Sequence, residues 1–255
     1  MEMRKICTGC RDGVDFDIPF TMAFQPIVDA MTGVPFAYEA LVRGIDGSSA
    51  AAVLGQVTDA NRYAFDQACR VKAIETVMAA GLMETPACLS INFLPNAVYS
   101  PVACIQLTLQ TARKVAMPLD RLIFEFTENE VIASPDHVSN IIESYKQIGF
   151  KVAIDDFGAG HAGLGMFARF APDEVKLDME LVRTIDSDGR RQAIVRAIVG
   201  LCAELGTLLI AEGIETAGEA AMLRRLGVRY HQGYWYARPA IGVLPPISAE
   251  ACAAL

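Results

Sequence analysis

The sequence has few of the residues that bind soft metal ions or build disulfide frameworks. It contains three histidines and seven cysteines in 255 residues, and the cysteines are scattered and odd in number. This distribution is typical of reduced thiols and argues against a disulfide framework. One C-x2-C pair, Cys7 and Cys10, has no second pair that would complete a structural zinc site. We therefore interpret residues 1–19 as an N-terminal extension that carries two ordinary thiols.

The chain also lacks runs of basic residues and long apolar stretches. Its net charge of −8 argues against a surface for DNA or for an anionic membrane. No run reaches the roughly 18 apolar residues of a membrane span, so we expect a cytoplasmic protein without a membrane segment. A hydrophobic content of 53 % is enough to bury the core of one domain, which we place at residues 20–255.

Apolar segments bounded by turn-forming residues predict eight strands. The strands lie near residues 22–29, 34–42, 87–93, 121–127, 151–156, 174–178, 208–212 and 229–234. Helical spacing predicts helices near 59–80, 100–116, 135–148, 189–205, 216–226 and 246–254. This alternation predicts an α/β fold of the TIM (β/α)8 barrel type, in which catalytic residues come from the C-terminal ends of different strands.

The connection between the first two strands does not fit a parallel barrel. Only the residues from Asp29 to Gly33 separate the two strands. A parallel crossover needs about a dozen residues, whereas a short loop that contains glycine makes a hairpin. We therefore predict a modified barrel in which the first strand is antiparallel to the second.

Oxygen-bearing side chains recur where the predicted strands end. They are Glu39, Asn92, Glu125, Asp155, Asp156, Glu212 and Gln232. In a barrel these ends share one rim, where converging carboxylates would repel one another unless a cation neutralised them. Oxygen ligands favour Mg²⁺, Mn²⁺ or Ca²⁺. A single acid of this kind is more often a solvated loop residue or a helix cap, so the prediction rests on the whole set.

The adjacent acids Asp155 and Asp156 are the residues that most directly indicate a catalytic site. One of them can bridge two ions while the other completes the second ion's shell, which suits attack of water on a phosphodiester. Lys176 adds a cation at an inward strand position. Its alternative role is an ordinary buried ion pair with Asp178.

These residues resemble the motifs of the EAL-type phosphodiesterases, which hydrolyse cyclic di-GMP. The similarity covers roughly residues 20–240. The matching segments are Gln25-Pro26-Ile27-Val28, Glu39-Ala40-Leu41 with Arg43, Ser90-Ile91-Asn92, Glu125-Phe126-Thr127-Glu128, Asp155-Asp156-Phe157-Gly158, Lys176-Leu177-Asp178, Glu212-Gly213-Ile214-Glu215 and Gln232-Gly233-Tyr234.

The resemblance implies a role for each matching residue. The first Mg²⁺ or Mn²⁺ ion would be held by Glu39, Asn92, Glu125 and Asp155, and the second by Asp155, Asp156 and Glu212. Lys176 would lie next to the water shared by the ions, and either Lys176 or Glu212 would assist its deprotonation. The substrate would contact Gln25, Arg43, Asp178 and Gln232, and Glu128 would hold the loop after Asp156. The product would be linear pGpG, and the protein would act as a homodimer, with regulation through a dimer contact, a protein partner or expression. Ca²⁺ should inhibit, because its larger and more flexible shell disturbs the geometry that two ions must hold around the attacking water.

Two features depart from the usual pattern of this family. The segment after Arg43 is short and leads quickly into an alanine-rich stretch, which puts affinity and dimer contacts in question. The loop after Asp156 has an extra glycine and His161, which we interpret as a loop histidine rather than a ligand. Two other functions stay open: a barrel that binds cyclic di-GMP or a protein without hydrolysis, and an unrelated Mg²⁺-dependent barrel enzyme.

Overall fold

A computed structural model of the chain describes residues 16–127, 134–160 and 163–254. The strands are β1 (Phe20–Asp29), β2 (Val34–Gly44), β3 (Cys88–Asn92), β4 (Leu122–Thr127), β5 (Lys151–Phe157), β6 (Glu174–Leu177), β7 (Leu208–Ala211), β8 (Tyr230–Gln232) and β9 (Ala240–Ile241). The helices are α1 (Ala50–Leu54), α2 (Arg62–Ala79), α3 (Pro101–Cys104), α4 (Gln106–Lys114), α5 (Pro135–Ile148), α6 (Gly163–Phe170), α7 (Met179–Val182), α8 (Gly189–Leu205), α9 (Ala217–Leu226) and α10 (Ala249–Ala253).

Strands β2 to β8 form a parallel sheet in sequence order, and β1 closes it into an eight-stranded barrel. β1 pairs antiparallel with both β2 and β8, which confirms the predicted modified barrel. The turn that reverses the chain is tight: the N–H groups of Thr32 and Gly33 donate to the carbonyl of Asp29, and Gly33 has a φ of 72°. Glycine adopts this left-handed backbone without a steric penalty.

The outer helices begin and end at residues suited to those positions. At α9, Thr216 and Glu219 form a reciprocal capping box, and Gly227 ends the helix in a left-handed conformation. At α5, Ser134 caps the first turn and Pro135 follows it. These caps provide hydrogen-bond partners for backbone groups that the ends of a helix leave unpaired. In the part of the chain that the structure describes, no helix is long and apolar enough to cross a membrane.

The core has two parts, and the smaller one supports the rim. The larger part packs the helices against the outside of the barrel. The smaller one comprises the buried residues Ile27, Ala37, Cys88, Ile123, Ala153 and Ile210. Ala37, Ile123, Ala153 and Ile210 each precede an acidic residue by two positions. Because side chains two apart on a strand share a face, the same apolar floor directs all four acids to one end of the barrel interior.

Candidate metal centre

Lys176 lies at the centre of the acidic cluster inside the barrel. Its side chain is fully buried, and its ammonium nitrogen lies within 3.2 Å of a carboxylate oxygen from each of four residues. The partners are Glu212 (2.7 Å), Glu125 (2.9 Å), Glu39 (3.2 Å) and Asp155 (3.2 Å). The alternative pairing with Asp178 was wrong, because Asp178 is not among the ion-pair partners of Lys176, and its Oδ1 accepts the N–H of Glu180 at the start of α7.

The carboxylates form two overlapping groups of potential metal ligands. One group is Glu39, Glu125 and Asp155, and the other is Asp155, Asp156 and Glu212. Within each group the ligand oxygens all lie within 4.8 Å of one another, and Asp155 belongs to both. This donor set, made only of oxygens, fits hard divalent cations such as Mg²⁺, Mn²⁺ and Ca²⁺.

Asn92 lies beside the first group. Its amide nitrogen donates to Oε1 of Glu39 at 2.9 Å. Ser90, two residues earlier on β3, donates its hydroxyl to Oε1 of Glu125. Ser90 was not among the residues predicted for the site. It could have been predicted from its position two residues before Asn92, because side chains two apart on a strand lie on the same face.

The electrostatics of the cluster are unbalanced. Burial raises the pKa of Glu125 to about 8, although Lys176 opposes this shift. Burial and the neighbouring charge of Asp155 raise the pKa of Asp156 to about 6, and the same two causes raise that of Glu212. Burial alone would lower the pKa of Lys176, but the surrounding carboxylates raise it well above its ordinary value. One ammonium group therefore neutralises only part of the negative charge of the cluster. Bound cations would neutralise the remaining negative charge.

Asp156 has a strained backbone, with a φ of 55°. Residues other than glycine rarely adopt this left-handed conformation, and such strain is concentrated at functional sites. The carbonyl of Asp156 accepts the N–H of Ala159, which closes a tight turn immediately after the strand. Asp156 lies near the end of β5, where the pairing with β6 is irregular between Ile154 and Phe157, and its carboxylate belongs to the second group of ligands.

The predicted substrate contacts lie on the same side of the barrel. Gln232 donates from Nε2 to Oε2 of Glu39 at 2.7 Å, whereas its Oε1 is buried without a hydrogen bond among the described residues. Gln25 donates to the carbonyl of Ala237. Arg43 is partly exposed on β2, on the same strand face as Glu39. Gln232 therefore offers an unused acceptor, and Arg43 an accessible cation.

Aromatic residues follow β8, and they divide between rim and core. Tyr234 is exposed, and the guanidinium of Arg238 lies 4.1 Å from the centre of its ring. Tyr236 is buried, and its hydroxyl lies 2.7 Å from Nδ1 of His231. Of the two tyrosines, Tyr234 is thus the one that can reach a ligand at the rim.

A cavity of about 380 Å³ opens beside the acidic cluster. Glu39, Asn92 and Asp155 line one end, and the rest of the lining is largely apolar, including Leu41, Leu54 and Phe65. The combination of a charged end and an apolar wall suits a ligand that carries both a phosphate and a flat base. Four predicted residues, Glu128, His161, Cys7 and Cys10, lie outside the described residues.

Comparison with known families identifies the fold. The EAL domain family matches residues 18–239. This chain belongs to the EAL domain family. A standalone versatile EAL protein from Vibrio cholerae O395, solved in a form bound to c-di-GMP, is 45 % identical with a TM-score of 0.89, covering 93 % of this chain and 99 % of that one. A manganese/cy-diGMP complex of Klebsiella pneumoniae BlrP1 is 34 % identical with a TM-score of 0.84, over 91 % of this chain and 58 % of that one.

Curated relatives carry different descriptions. The blue light- and temperature-regulated antirepressor BluF of Escherichia coli is 35 % identical over 226 residues, 89 % of this chain and 56 % of BluF. The cyclic di-GMP phosphodiesterase PdeR of Escherichia coli is 39 % identical over 126 residues, 49 % of this chain and 18 % of PdeR. The chain therefore spans about half or less of the length of these two relatives.

Proposed function

We propose that this protein is a Mg²⁺- or Mn²⁺-dependent phosphodiesterase that hydrolyses cyclic di-GMP to linear pGpG. The observation that carries the proposal is the position of Asp155, which belongs to both groups of metal ligands and contacts Lys176. The phosphodiesterase PdeR and the cyclic di-GMP complexes of related EAL proteins support the choice of substrate.

In this proposal the described residues hold the two cations. Glu39, Asn92, Glu125 and Asp155 would hold the first, and Asp155, Asp156 and Glu212 would hold the second. Bound divalent cations lower the pKa of water and neutralise charge that develops on a phosphoryl group. Glu128 lies outside the described residues, and we assign it the role that the sequence resemblance implies, which is to hold the loop after Asp156.

The remaining residues bind substrate and handle protons. Water adds to phosphorus, the bond from phosphorus to the 3′ oxygen breaks, and the 3′ oxygen leaves as an alkoxide that takes a proton from solvent water. We assign Lys176 as a hydrogen-bond donor, because its nitrogen keeps its proton among four carboxylates. Glu212, 2.7 Å from that nitrogen, is then the group that accepts a proton from the attacking water. Arg43 binds phosphate, and Gln25, Asp178 and Gln232 orient the nucleotide.

A second function has one specific observation in its favour. The antirepressor BluF matches most of this chain, so an EAL barrel that binds cyclic di-GMP or a protein partner without hydrolysis is the alternative. All the matching acids and Lys176 are present in the sequence, and for that reason we favour the enzyme. We further propose a cytoplasmic homodimer whose activity is set by its dimer contact or by a partner.

The test is incubation of the purified protein with cyclic di-GMP and Mn²⁺ or Mg²⁺, with the products separated by chromatography. We expect pGpG to form with added metal and not in excess chelator. A protein that binds cyclic di-GMP tightly yet forms no pGpG with either ion would establish the alternative. The variant Glu39→Ala should form no product, and Glu204→Ala, which changes an exposed acid on α8, should behave as wild type.

A further inference from the structure

Helix α2 carries a buried ion pair that faces the barrel. Asp66 and Arg70 lie one helical turn apart, and Nη2 of Arg70 is 2.7 Å from Oδ2 of Asp66. Only 2 % of Asp66 and none of Arg70 is exposed. Buried ion pairs of this kind are seldom better for stability than well-packed apolar residues of similar size. Stability alone therefore does not explain the pair.

Arg70 is held from several sides. Its Nη1 donates to the hydroxyl of Tyr145 at 2.7 Å. Its guanidinium also lies 5.3–5.8 Å from the ring centres of Phe93, Phe124 and Tyr145. A planar cation stacked among three rings and bonded to a hydroxyl has little freedom to move. Arg70 therefore fixes the carboxylate of Asp66 in one place.

The second oxygen of Asp66 reaches the rim of the barrel. Oδ1 of Asp66 accepts the N–H of Leu94 at 3.0 Å. The preceding N–H, that of Phe93, donates to the carbonyl of Glu125 at 2.8 Å. These two bonds fix the backbone immediately after Asn92. Asp66 also lines the same cavity as Asn92, so the ion pair lies behind the wall of the candidate metal centre.

We propose that Asp66, held by Arg70, is a positioning residue that fixes the backbone after β3 and so presents the Asn92 side chain to the first metal ion. This inference rests on the proposed function, because it takes Asn92 as a ligand. Groups that orient a metal ligand from behind commonly contribute tenfold to a hundredfold to metal affinity.

Two double variants separate positioning from packing. Both replace Arg70 with methionine, which removes the charged pair and retains an unbranched side chain. Asp66→Asn with Arg70→Met keeps an oxygen that can accept the Leu94 N–H, whereas Asp66→Val with Arg70→Met keeps none. Asparagine and valine have similar helix propensities, so the two proteins differ mainly in that acceptor.

The readout is the Mn²⁺ dissociation constant, measured by calorimetry, together with the unfolding midpoint of the metal-free protein. We expect the valine variant to bind Mn²⁺ about tenfold to a hundredfold more weakly than the asparagine variant, at similar unfolding midpoints. Equal Mn²⁺ affinities in the two variants would overturn the proposal. Weaker Mn²⁺ binding by the valine variant would also overturn it if the unfolding midpoint of that variant were lower to a corresponding degree.

A measurement on the wild-type protein tests the same contact without any variant. The amide of Leu94 should be protected from hydrogen exchange in the metal-free protein, as followed by NMR. Exchange at the rate of an unprotected amide would show that Asp66 does not hold it, and would overturn the proposal whether or not the variants fold. Turnover of cyclic di-GMP by the wild type is measured separately. An active enzyme with an unprotected Leu94 would contradict this inference alone, whereas a protected Leu94 without Mn²⁺ binding would contradict the proposed function.

Discussion

The ammonium nitrogen of Lys176 lies 2.7 Å from Oε1 of Glu212, the shortest of its four contacts with carboxylates. Before any cation binds, Lys176 is the positive charge that holds the cluster together. The same charge repels a divalent ion that enters the cluster. Lys176 therefore assembles the site and also opposes metal binding, and these two effects can be separated by substitution.

Replacing Lys176 with methionine should separate metal binding from turnover. We expect Mn²⁺ to bind at least as tightly, because a like charge is removed, while kcat falls by about 10²- to 10³-fold through the loss of a positioned hydrogen-bond donor. Calorimetry and steady-state kinetics measure the two quantities. The control is Lys114→Met, which changes an exposed lysine paired with Glu75. A variant with wild-type kcat would contradict the role proposed for Lys176.

Glu39 and Arg43 lie four residues apart on β2, and their substitutions should have different kinetic effects. Glu39→Ala removes a metal ligand and should abolish turnover. The fall in kcat should exceed about 100-fold, because loss of a group that only orients a metal ligand already has an effect of up to about 100-fold. Arg43→Ala should raise KM by about tenfold to a hundredfold with a smaller effect on kcat, because a hydrogen bond to a charged group contributes about 1.5–3 kcal/mol. Wild-type kcat in Glu39→Ala would refute the metal assignment.

The order of the strands was predictable because each one begins or ends at turn-forming residues. The antiparallel β1 followed from the short loop after Asp29. Helix α6 was missed, since Gly163 and Gly165 lower its helix propensity. Strand β9 was missed because two residues are too few to show a period. The helix predicted near 100–116 is two helices, α3 and α4.

The residue types of the candidate site were predictable, whereas the partners of some of them were not. An ion pair between Lys176 and Asp178 was considered because the two are close in sequence. The partners of Lys176 instead lie on β2, β4 and β5 and at the residue after β7. Asp178 follows the end of β6, where the chain turns into α7. Asp66 and Arg70 were missed, because helix α2 has the spacing of ordinary packing and sequence alone does not reveal which charges are buried.

The choice of metal ion should control activity. We expect Mg²⁺ and Mn²⁺ to support turnover and Ca²⁺ to inhibit it, because the larger and more flexible shell of Ca²⁺ disturbs the geometry that two ions must hold around the reacting groups. Assays of chelator-treated protein with each ion added back measure this effect. Turnover in Ca²⁺ equal to that in Mg²⁺, or undiminished turnover in excess EDTA, would contradict the metal assignment.

Glu128 gives a prediction that rests on sequence similarity. If it braces the loop after Asp156, Glu128→Ala should lower kcat by about a hundredfold in a protein that still folds, since a displacement of about 1 Å can have that effect. Added Mg²⁺ should restore activity only in part. Glu143→Ala, an exposed acid on α5, is the control. Circular dichroism tests whether the variant folds. Wild-type kinetics in a folded Glu128→Ala protein would contradict the proposed role of Glu128.

The stability of the metal-free protein should fall as the pH rises. Burial raises the pKa of Glu125 to about 8 and that of Asp156 to about 6. In the unfolded chain both groups return to ordinary values near 4, so between about pH 4 and 8 the folded state binds more protons than the unfolded state. The stabilisation that these two groups contribute is fully present below about pH 4. It is lost as the pH rises through their pKa values in the folded state, about 6 for Asp156 and about 8 for Glu125. Urea unfolding of the metal-free protein at pH 6 and pH 8.5 measures the change. A free energy of unfolding that is higher at pH 8.5 than at pH 6 would contradict the prediction.

Metal binding should have the opposite pH dependence. A cation binds the deprotonated carboxylates, so Mn²⁺ must displace the protons that Glu125 and Asp156 hold in the metal-free protein. Affinity should therefore rise between pH 6 and pH 8, and protons should be released on binding. Calorimetry in buffers of different ionisation enthalpy counts those protons. The variant Glu125→Gln should release fewer protons and bind the first ion more weakly. If both the proton release and the affinity for the first ion were the same in wild type and Glu125→Gln, Glu125 would not be a ligand, and the first metal site would have to be assigned to other residues.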